Sequence, residues 1–446
     1  MWRISRCCRS AEFVFNSNVK VAMDLDSDES DDSQIIDDDV VSSHSNYSSD
    51  GLNGFAADMD EIVESVQVSS NAKAFDINIA GRHEYLGNNL DAVSGFTFYE
   101  ENSVQKIPVM KHQTVSFPGQ KMPFNLIHQS LIAMVMSVME GDKTFGLVAE
   151  LDHYNESVKG CIGVTFQVMN CSPVTQGRCQ LTGMCRQRFK IIEATKNNEH
   201  VLSATVRILS DKLIVPFYAS MVSNSRDRTK CSSRRKLNAS IRTPWPTFVY
   251  EQYSADKLVE SIHAQLMELC HGREEQTKAP SDPLILSYWV AQNLPLIDQQ
   301  RTFLLNLDCP VQRLRWELHF MAKCSRICCC TCGMEVSNTN SVFSMNTDGP
   351  QGAYVNPDGY MHDTLTVHSA DNLMSRGLPT ERFSWFPGYK WICVFCISCL
   401  AHIGWRFDSA GDCLPPCFWG LTRKALITMP GHDIDIESGS ELRPII

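Results

Sequence analysis

Short apolar runs separated by Pro and Gly dominate the chain from residue 104 to about 215, as in Ile107-Pro108-Val109 and Met122-Pro123-Phe124. This pattern is typical of strands joined by tight turns. Further strands are predicted over 145–151, 161–169, 187–194 and 201–208. One longer apolar run, at about 127–139, predicts a helix. This region is therefore predicted to be a mostly β domain with one helix.

The apolar spacing becomes helical after residue 246. Apolar positions recur at intervals of three and four after the candidate N-cap Ser254, at Leu258, Ile262, Leu266 and Leu269. Further helices are predicted over 285–291, over 299–307 and from Pro310 onward, where proline fits the first helical position. The pattern predicts a helical bundle over residues 246–322.

From Cys324 the chain becomes rich in Cys, Gly and Trp. Its apolar runs are again short, as in Ala353-Tyr354-Val355 and Thr364-Leu365-Thr366-Val367. Between them, Asn356-Pro357-Asp358-Gly359 is a strong turn signal. We predict a small β domain in this part of the chain.

Acidic charge is concentrated in one segment. Residues 21–72 hold fourteen acidic residues and no Lys or Arg, so this segment carries −14, and subtraction from the net charge of −11 leaves about +3 for the rest. A segment so acidic and so poor in large apolar side chains cannot bury enough surface to offset chain entropy. We therefore expect residues 1–103 to be mostly disordered and residues 433–446 to form a flexible tail.

The remaining chain is nearly neutral, which disfavours nucleic-acid binding because phosphate contacts require concentrated Lys and Arg. The basic cluster at 226–236 is interpreted as a solvated loop. The apolar run 131–139 is far shorter than the ~20 residues of a membrane span. Residues 1–21 lack a secretory core, and a mitochondrial presequence and a start at Met23 both remain open.

Cysteine usage indicates a reduced compartment and a metal site. The chain has nineteen cysteines, eleven of them between Cys309 and Cys417. An odd number in a large chain without a signal peptide favours free thiols and a metal site over a disulfide framework.

Two CxxC pairs have the spacing of one tetrahedral zinc site, with Cys329, Cys332, Cys396 and Cys399 as ligands. Four thiolates leave no open coordination position, so the zinc is predicted to be structural. Three further cysteines crowd the first pair and keep its ligand assignment open: Cys324, Cys328 and Cys330.

Three tryptophans lie near the second pair, at Trp385, Trp391 and Trp405. On physical grounds alone, such a group indicates core packing slightly more than a pocket. The turn Pro387-Gly388-Tyr389 favours rings near a surface, and Asn356 and His362 offer polar groups. A cyclic imide between the indoles would then hydrogen-bond backbone groups at the Phe383–Trp385 edge.

Enzyme motifs are missing from the sequence. Residues 141–144 lack the glycine spacing of a P-loop, and neither a G-x-S-x-G elbow nor an H-E-x-x-H helix occurs. Two alternatives to a binding protein remain. One is a zinc-containing methionine sulfoxide reductase-like redox enzyme that uses Cys413 or Cys417, and the other is a zinc ribbon for nucleic acid.

Several long runs closely resemble the cereblon family: residues 353–360 with His362 and 364–367, residues 384–389, residues 402–405 and residues 418–423. In the middle of the chain, Ile107-Pro108-Val109 and Phe117-Pro118-Gly119 resemble the start of a Lon N-terminal domain. Arg186-Gln187-Arg188-Phe189 resembles a later strand of the same domain. The resemblance covers residues 104–430.

The resemblance implies a multidomain α+β protein. A β-rich Lon N-terminal-like domain would span 104–322, and its helical bundle at 246–322 would bind the damaged-DNA-binding adaptor protein of a cullin-RING ubiquitin ligase. A zinc-bound all-β CULT domain with the β-tent fold would span 323–432. The chain would be a non-catalytic substrate receptor in cytoplasm and nucleus that presents substrate proteins for ubiquitination. The Lon ATPase and protease parts are absent, so proteolysis is not implied.

The resemblance also implies a binding site. The family's zinc domain binds cyclic imides such as thalidomide and the cyclised C-termini of damaged proteins, with one structural zinc on Cys329, Cys332, Cys396 and Cys399. The ligand-binding residues that match the family motifs are Trp385, Trp391, Trp405, Asn356, Pro357, Phe383, Ser384 and Phe407.

Four residues depart from the family pattern. Phe383 and Asp358 stand where well-known members have His, Cys393 replaces a β-branched residue on the rim of the cage, and Cys185 replaces a Gly before Arg186. We expect a working cage with altered specificity for recruited proteins.

Overall fold

The computed structural model describes residues 73–87, 89–150, 158–196, 201–212, 251–269, 279–411 and 413–431. The predictions for the acidic segment 21–72, the basic cluster 226–236 and the tail 433–446 lie outside these residues. The described residues contain a β-rich region, a helical region and a C-terminal β region. The predicted α+β fold class is therefore confirmed.

The described residues have secondary structure from Lys73 onward, well before residue 104, where the sequence predicted order to begin. Strand β1 (Lys73–Ala74) pairs in parallel with Cys413–Leu414 of the C-terminal region. Helix α1 (Ile77–Gly81) follows, and the Asp76 carboxylate caps it by accepting a hydrogen bond from the Asn78 N–H at 3.0 Å. The expectation of disorder up to residue 103 is therefore wrong for this segment.

Seven strands form the sheet of the β-rich region, in the order β2-β6-β5-β3-β8-β7-β4. Strand β6 also pairs with β7, which closes the central strands into a barrel. Helix α2 (Gln129–Glu140) covers the barrel with an apolar face that includes Leu131 and Val135. The strands are β2 (Asp91–Ala92), β3 (Val104–His112), β4 (Lys121–Leu126), β5 (Thr144–Ala149), β6 (Ile162–Cys171), β7 (Cys179–Lys196) and β8 (Val201–Ile208).

The helical region contains α3 (Ala255–Leu269), α4 (Pro283–Asn293), α5 (Asp298–Asn306) and α6 (Pro310–Lys323). Helix α4 begins with Pro283 after the N-cap Asp282, whose carboxylate accepts from the Ile285 N–H at 2.9 Å. The predicted apolar stripes meet in one cluster that includes Leu258, Leu286 and Leu314. None of the described helices combines the length and apolar character that a bilayer span requires.

A buried ionic network joins the helices to the barrel. The Asp211 carboxylate lies 2.9 Å from the Arg313 guanidinium and 3.1 Å from that of Arg188, and it accepts from the Tyr288 hydroxyl at 2.9 Å. Both arginines are almost completely buried. Such groups need hydrogen-bonding partners of opposite charge, so this network fixes the helices against the sheet.

The C-terminal region contains a three-stranded sheet of order β10-β9-β18 and a six-stranded sheet of order β11-β12-β17-β15-β14-β13. Helix α6 runs directly into β9, so the domain boundary predicted at residues 322–323 stays a prediction. The strands are β9 (Cys324–Cys329), β10 (Glu335–Asn338), β11 (Gln351–Val355), β12 (Met361–Val367), β13 (Leu373–Thr380), β14 (Tyr389–Cys396), β15 (His402–Ser409), β16 (Cys413–Leu414), β17 (Cys417–Thr422) and β18 (Leu426–Pro430).

Arg423 joins the helical region to the six-stranded sheet. Its guanidinium forms ion pairs with Asp363 at 3.1 Å and Asp298 at 2.8 Å, and it donates a hydrogen bond to the Leu296 carbonyl at 3.0 Å. Although burial opposes ionisation of Asp363, the Arg423 charge lowers the pKa of this carboxyl group. Arg423 is itself 2% exposed, so its charge is held at this junction by the two carboxylates and not by water.

His83 makes the stability of the N-terminal segment depend on pH. Burial and, to a smaller extent, the Lys121 ammonium lower its pKa from 6.5 to about 3, and its ring packs edge-on against Tyr85 and Tyr354. Between these pH values the unfolded chain binds a proton that the folded chain does not, so stability falls as the pH falls.

We expect acidification from pH 6.5 to pH 5 to lower the free energy of unfolding by about 2 kcal/mol through His83, at about 1.36 kcal/mol per pH unit. Urea titrations of wild type and His83→Phe at pH 7.5 and pH 5 measure it. The variant should lose less stability on acidification, and an equal loss in both proteins would contradict this assignment.

Candidate metal centre and aromatic cage

The two CxxC turns have the same backbone hydrogen bonds. The Cys329 N–H donates to the Met334 carbonyl and the Gly333 N–H to the Cys329 carbonyl; in the second turn, Cys396 N–H donates to Ala401 and Leu400 N–H to Cys396, all at 2.8–2.9 Å. Each turn needs a left-handed residue four positions after its first cysteine, with φ of +75° at Gly333 and +61° at Leu400. The sequence therefore forms two matching turns, which we call the first knuckle (329–334) and the second knuckle (396–401). The second has Leu400 in place of glycine at the left-handed position.

The four predicted zinc ligands lie together. Their Sγ atoms are all within 4.8 Å of one another, and the pairs Cys329–Cys399 and Cys332–Cys396 are each separated by 3.6 Å. A disulfide would require about 2.05 Å, whereas Zn–S bonds of about 2.3 Å in a tetrahedron place sulfurs roughly 3.8 Å apart. The geometry therefore fits one tetrahedral metal ion.

The chemistry of the donors also fits a metal. The pKa of the exposed Cys332 thiol is lowered to about 7, and the largest cause is a hydrogen bond from the Met334 backbone. A thiolate is the form that binds metal. Among the cysteines that crowd the first pair, Cys330 points elsewhere, and its thiol contacts the Lys424 carbonyl at 3.5 Å.

Trp385 and Trp405 form two walls at nearly a right angle. Their ring centroids are 4.8 Å apart with an interplanar angle of 75°, and the residues are 8% and 9% exposed. The two rings are in direct edge-to-face contact. His362 borders both rings, at 5.5 Å from Trp385 and 4.9 Å from Trp405.

His362 is a neutral polar group beside the indoles. Burial, followed by the nearby His402, lowers its pKa from 6.5 to about 4. At neutral pH its ring therefore offers one hydrogen-bond donor and one acceptor to a neighbouring group.

Trp391 forms the more open side of the cage. It lies on β14 opposite Phe407 of β15, two pairs along from Cys393 and Trp405, so these four side chains share one face of the sheet. Its indole N–H donates to the Arg382 carbonyl at 3.0 Å, which fixes the ring over the segment that leads to Trp385. The three tryptophans thus come together, with one wall more accessible than the other two.

A group of aromatic side chains supports the cage from behind. Tyr354 stacks on Trp385 at 5.2 Å with an angle of 14°. The ring of Phe407 is buried and stacks on Phe418 at 4.9 Å, while Phe386 meets Phe407 edge-on. Phe407 therefore lies in the core beneath the cage. The sequence did not predict that Tyr354, Phe386 and Phe418 support the cage.

The N-terminal segment also reaches this support. Phe75 contacts Phe386 and Tyr389 edge-on, and the Tyr85 hydroxyl accepts a hydrogen bond from the Val355 N–H at 3.0 Å. No local sequence signal places these two residues, because their partners lie about 270–310 positions away along the chain.

The turn with Asn356 and Pro357 is held by the β-rich region. Asn125 on β4 and Arg178 donate hydrogen bonds to the Pro357 carbonyl, at 2.8 Å and 3.1 Å. The Asn356 side-chain oxygen accepts from the backbone of its own turn, at Asp358 and Tyr360. This turn reaches the cage through the contact between the Tyr360 and His362 rings at 4.7 Å.

Three of the departures from the family pattern lie around the opening. Phe383 is 58% exposed, has a φ of +60°, and lies under the Arg382 guanidinium at 4.8 Å. Asp358 is exposed on its turn, and Cys393 packs against the cage cluster beside Trp405. The fourth departure, Cys185, is buried in the barrel, where its thiol contacts the Met122 sulfur at 3.7 Å.

Ser384 has a local role. Its hydroxyl is buried and donates to the Phe386 carbonyl at 3.0 Å, so it shapes the turn after Phe383.

The two reductase candidates, Cys413 and Cys417, are half-buried on β16 and β17. Cys413 packs against the aromatic cluster near Gly388.

Tyr354→Ala tests the support behind Trp385. Removal of this buried ring is expected to cost about 3–5 kcal/mol of unfolding free energy, because the cavity is added to the lost burial. Tyr354→Phe is the matched control, since it loses only the 3.3 Å hydrogen bond from Asn346 to the hydroxyl and should cost about 1 kcal/mol. Urea unfolding monitored by Trp fluorescence measures both, and similar losses would contradict a supporting role for the ring.

Comparison with known proteins identifies relatives along most of the chain. Residues 106–323 match the family model of the ATP-dependent protease La (LON) substrate-binding domain, in agreement with the predicted Lon N-terminal-like β-rich domain. Protein cereblon of Danio rerio is 33% identical over 394 residues, which cover 82% of this chain and 91% of that protein. Protein cereblon of Gallus gallus is 34% identical over 397 residues, which cover 83% and 88%.

The similarity to a solved structure is weaker. The crystal structure of the Lon N-terminal domain protein from Xanthomonas campestris aligns with 49% of this chain and 99% of that chain, with a TM-score of 0.32 and 16% identity. A likeness at this level supports no further conclusion.

Proposed function

The chain belongs to the cereblon family, and on that basis we propose that it is the substrate receptor of a cullin-RING ubiquitin ligase. Its cage would bind imide-like degrons or cyclic imide ligands, and the chain would present the attached proteins for ubiquitination and proteasomal degradation. The observation that carries this proposal is the perpendicular pair Trp385–Trp405 with Trp391 on the open side. The chain would act in the cytoplasm and nucleus.

Recognition would combine shape with a few polar groups. A compact ring fits against flat indole faces by dispersion and burial of apolar area. Its imide N–H and carbonyls would bond to backbone groups at the Phe383–Trp385 edge, whose path is set by the Ser384 turn and the Trp391–Arg382 hydrogen bond. Because these bonds use the backbone, Phe383 in place of a histidine is compatible with binding.

One structural zinc on Cys329, Cys332, Cys396 and Cys399 would hold the cage together. The second knuckle follows β14, which carries Trp391, and precedes β15, which carries Trp405. Zinc binding would therefore fix the relative position of two cage walls without taking part in any reaction.

One feature disfavours thiol chemistry inside the cage. Burial raises the pKa of the Cys393 thiol, which lies opposite Trp405, and a thiol in this state is a poor nucleophile. The helices at 255–323 would supply the surface that binds the damaged-DNA-binding adaptor protein.

Affinity purification of the tagged chain from cells tests this function. The adaptor should be recovered with wild type and equally with Trp391→Ala, because Trp391 lies on the six-stranded sheet and not on the helices that would bind the adaptor. Absence of the adaptor from both preparations, with zinc retained, would contradict the ligase assignment and leave a ligand-binding module.

A further inference from the structure

Two buried cysteines outside the metal centre lie close enough to react with each other. Cys171 ends β6 and Cys179 begins β7, and their Sγ atoms are 3.6 Å apart. Cys171 is paired with Leu181, so Cys179 is its diagonal neighbour across the two antiparallel strands. Closing this gap to a disulfide of about 2.05 Å requires the two sulfurs to approach each other by about 1.5 Å.

The pair lies directly beneath an exposed hairpin. Residues 173–178 are exposed, whereas Cys171 is 8% exposed and Cys179 is fully buried. The hairpin turns at Gln176 and Gly177, both with positive φ, and paired hydrogen bonds of 3.0 Å join Thr175 and Arg178. A small oxidant therefore has only a thin surface layer to cross before it reaches the first sulfur.

The two thiols are not equivalent. Their mutual hydrogen bond is the largest influence on both thiols: it lowers the pKa of Cys171, whereas the same interaction and then burial raise the pKa of Cys179. Cys171 is also the more exposed of the two residues, so it is the sulfur that meets an oxidant first, and Cys179 is positioned to resolve an oxidised Cys171.

The hairpin that the pair closes is also part of the support for the Asn356–Gly359 turn. Arg178, adjacent to Cys179, donates to the Pro357 carbonyl at 3.1 Å. Asn125, which lies opposite Gln180, donates to the same carbonyl at 2.8 Å. The sulfur pair thus lies next to the two residues through which the barrel holds this turn.

We propose that Cys171 and Cys179 form a reversible oxidation site for a hydroperoxide, and that their disulfide restrains the hairpin at 172–178. The Cys171 thiol loses its proton, and the resulting thiolate attacks a peroxide oxygen and breaks the O–O bond. With hydrogen peroxide, the leaving hydroxide takes up that proton to give water. Cys179 then attacks the sulfenic sulfur of Cys171, forms the S–S bond and releases a second water. Overall, two thiols are oxidised and one hydrogen peroxide is reduced to two waters.

Peptide mapping tests the site on the full-length, zinc-loaded chain. The protein is treated with hydrogen peroxide, free thiols are alkylated, and trypsin cuts after Lys159, Arg178 and Arg186. The pair then joins peptides 160–178 and 179–186, and this linked species should form in wild type and disappear on reduction. Its absence in oxidised wild type would overturn the proposal.

Matched variants identify the sulfurs, because each peptide contains one further cysteine. Cys171→Ser and Cys179→Ser should abolish the linked species, whereas Cys161→Ser and Cys185→Ser should retain it. A linked species that persists in Cys171→Ser would assign the reaction to other thiols and overturn the proposal.

Hydrogen exchange tests the effect on the hairpin. Oxidation should slow exchange of the amides at 174–178 in wild type and leave it unchanged in Cys171→Ser. Unchanged exchange in oxidised wild type would show that the disulfide forms without restraining the hairpin and would overturn that part of the proposal. None of these measurements depends on ligand binding in the cage.

Discussion

Cys396→Ser is expected to release the metal and unfold the C-terminal β region. Its sulfur lies 3.6 Å from that of Cys332, and the residue is fully buried at the end of β14. Structural zinc contributes about 10–16 kcal/mol of apparent binding free energy, which is comparable to or larger than the stability of a domain. Loss of one thiolate should therefore remove most of the folding free energy of this region.

Metal analysis and near-UV circular dichroism measure both parts of this effect. Wild type should hold one zinc per chain, and Cys396→Ser should hold none and lose the aromatic signal of the cage. Cys330→Ser is the matched control, because this exposed cysteine lies next to the first knuckle but outside the four-sulfur cluster. A folded, metal-free Cys396→Ser protein would contradict a structural metal centre.

Arg423→Leu is expected to have the second largest effect. It leaves the carboxylates of Asp363 and Asp298 without their common cation, and Asp363 is almost completely buried. Removal of one partner from a buried ion pair costs about 3–5 kcal/mol, since Asp363 then keeps the attraction of the Arg301 charge but loses the cation that forms a hydrogen bond with it. The loss should appear in urea unfolding as a lower midpoint.

Arg82→Leu is a suitable control for this substitution. Arg82 and Glu84 form an ion pair at 3.5 Å in which both side chains are largely exposed. Exposed pairs contribute about 0–1 kcal/mol, so this change should be nearly neutral. Equal losses in the two variants would show that Arg423 does not hold the junction.

Local signals predicted the helices and the members of the four-sulfur cluster well. The intervals of three and four after Ser254 correspond to α3 at Ala255–Leu269, and Pro310 is the first residue of α6. The four predicted zinc ligands were selected from their CxxC spacing, and their sulfurs form the four-sulfur cluster. Helix periodicity and the spacing within each CxxC turn are local, which is the range that such patterns describe, although the two CxxC turns that meet in the cluster are distant along the chain.

Long-range contacts could not be predicted in the same way. Phe75 and Tyr85 lie in a short segment with no long apolar pattern, and they become ordered because they pack against residues of the C-terminal sheet. Arg423 has the sequence context of an ordinary surface arginine, yet it is buried at a junction between distant parts of the chain. Their positions follow from tertiary packing, which one sequence does not show.

The cage lies between these two cases. The sequence places Trp385, Trp391 and Trp405 in one short region, but physical reasoning alone favoured a core slightly over a pocket. The structure contains elements of both, since Trp385 and Trp405 are mostly buried while Trp391 is more accessible. The proposal of a binding site therefore rests on the arrangement of the three rings together with membership of the cereblon family.

Calorimetric titration of the zinc-loaded chain with a glutarimide tests the central claim most directly. Wild type should bind one equivalent, and Trp391→Ala should bind at least about 2 kcal/mol more weakly while retaining zinc, because one wall of the cage is lost. Trp419→Phe, which changes a tryptophan in a different cluster of the same sheet, should bind like wild type. Absence of binding by zinc-loaded wild type, or equal affinity in Trp391→Ala, would contradict the assignment of this cage as the degron-binding site.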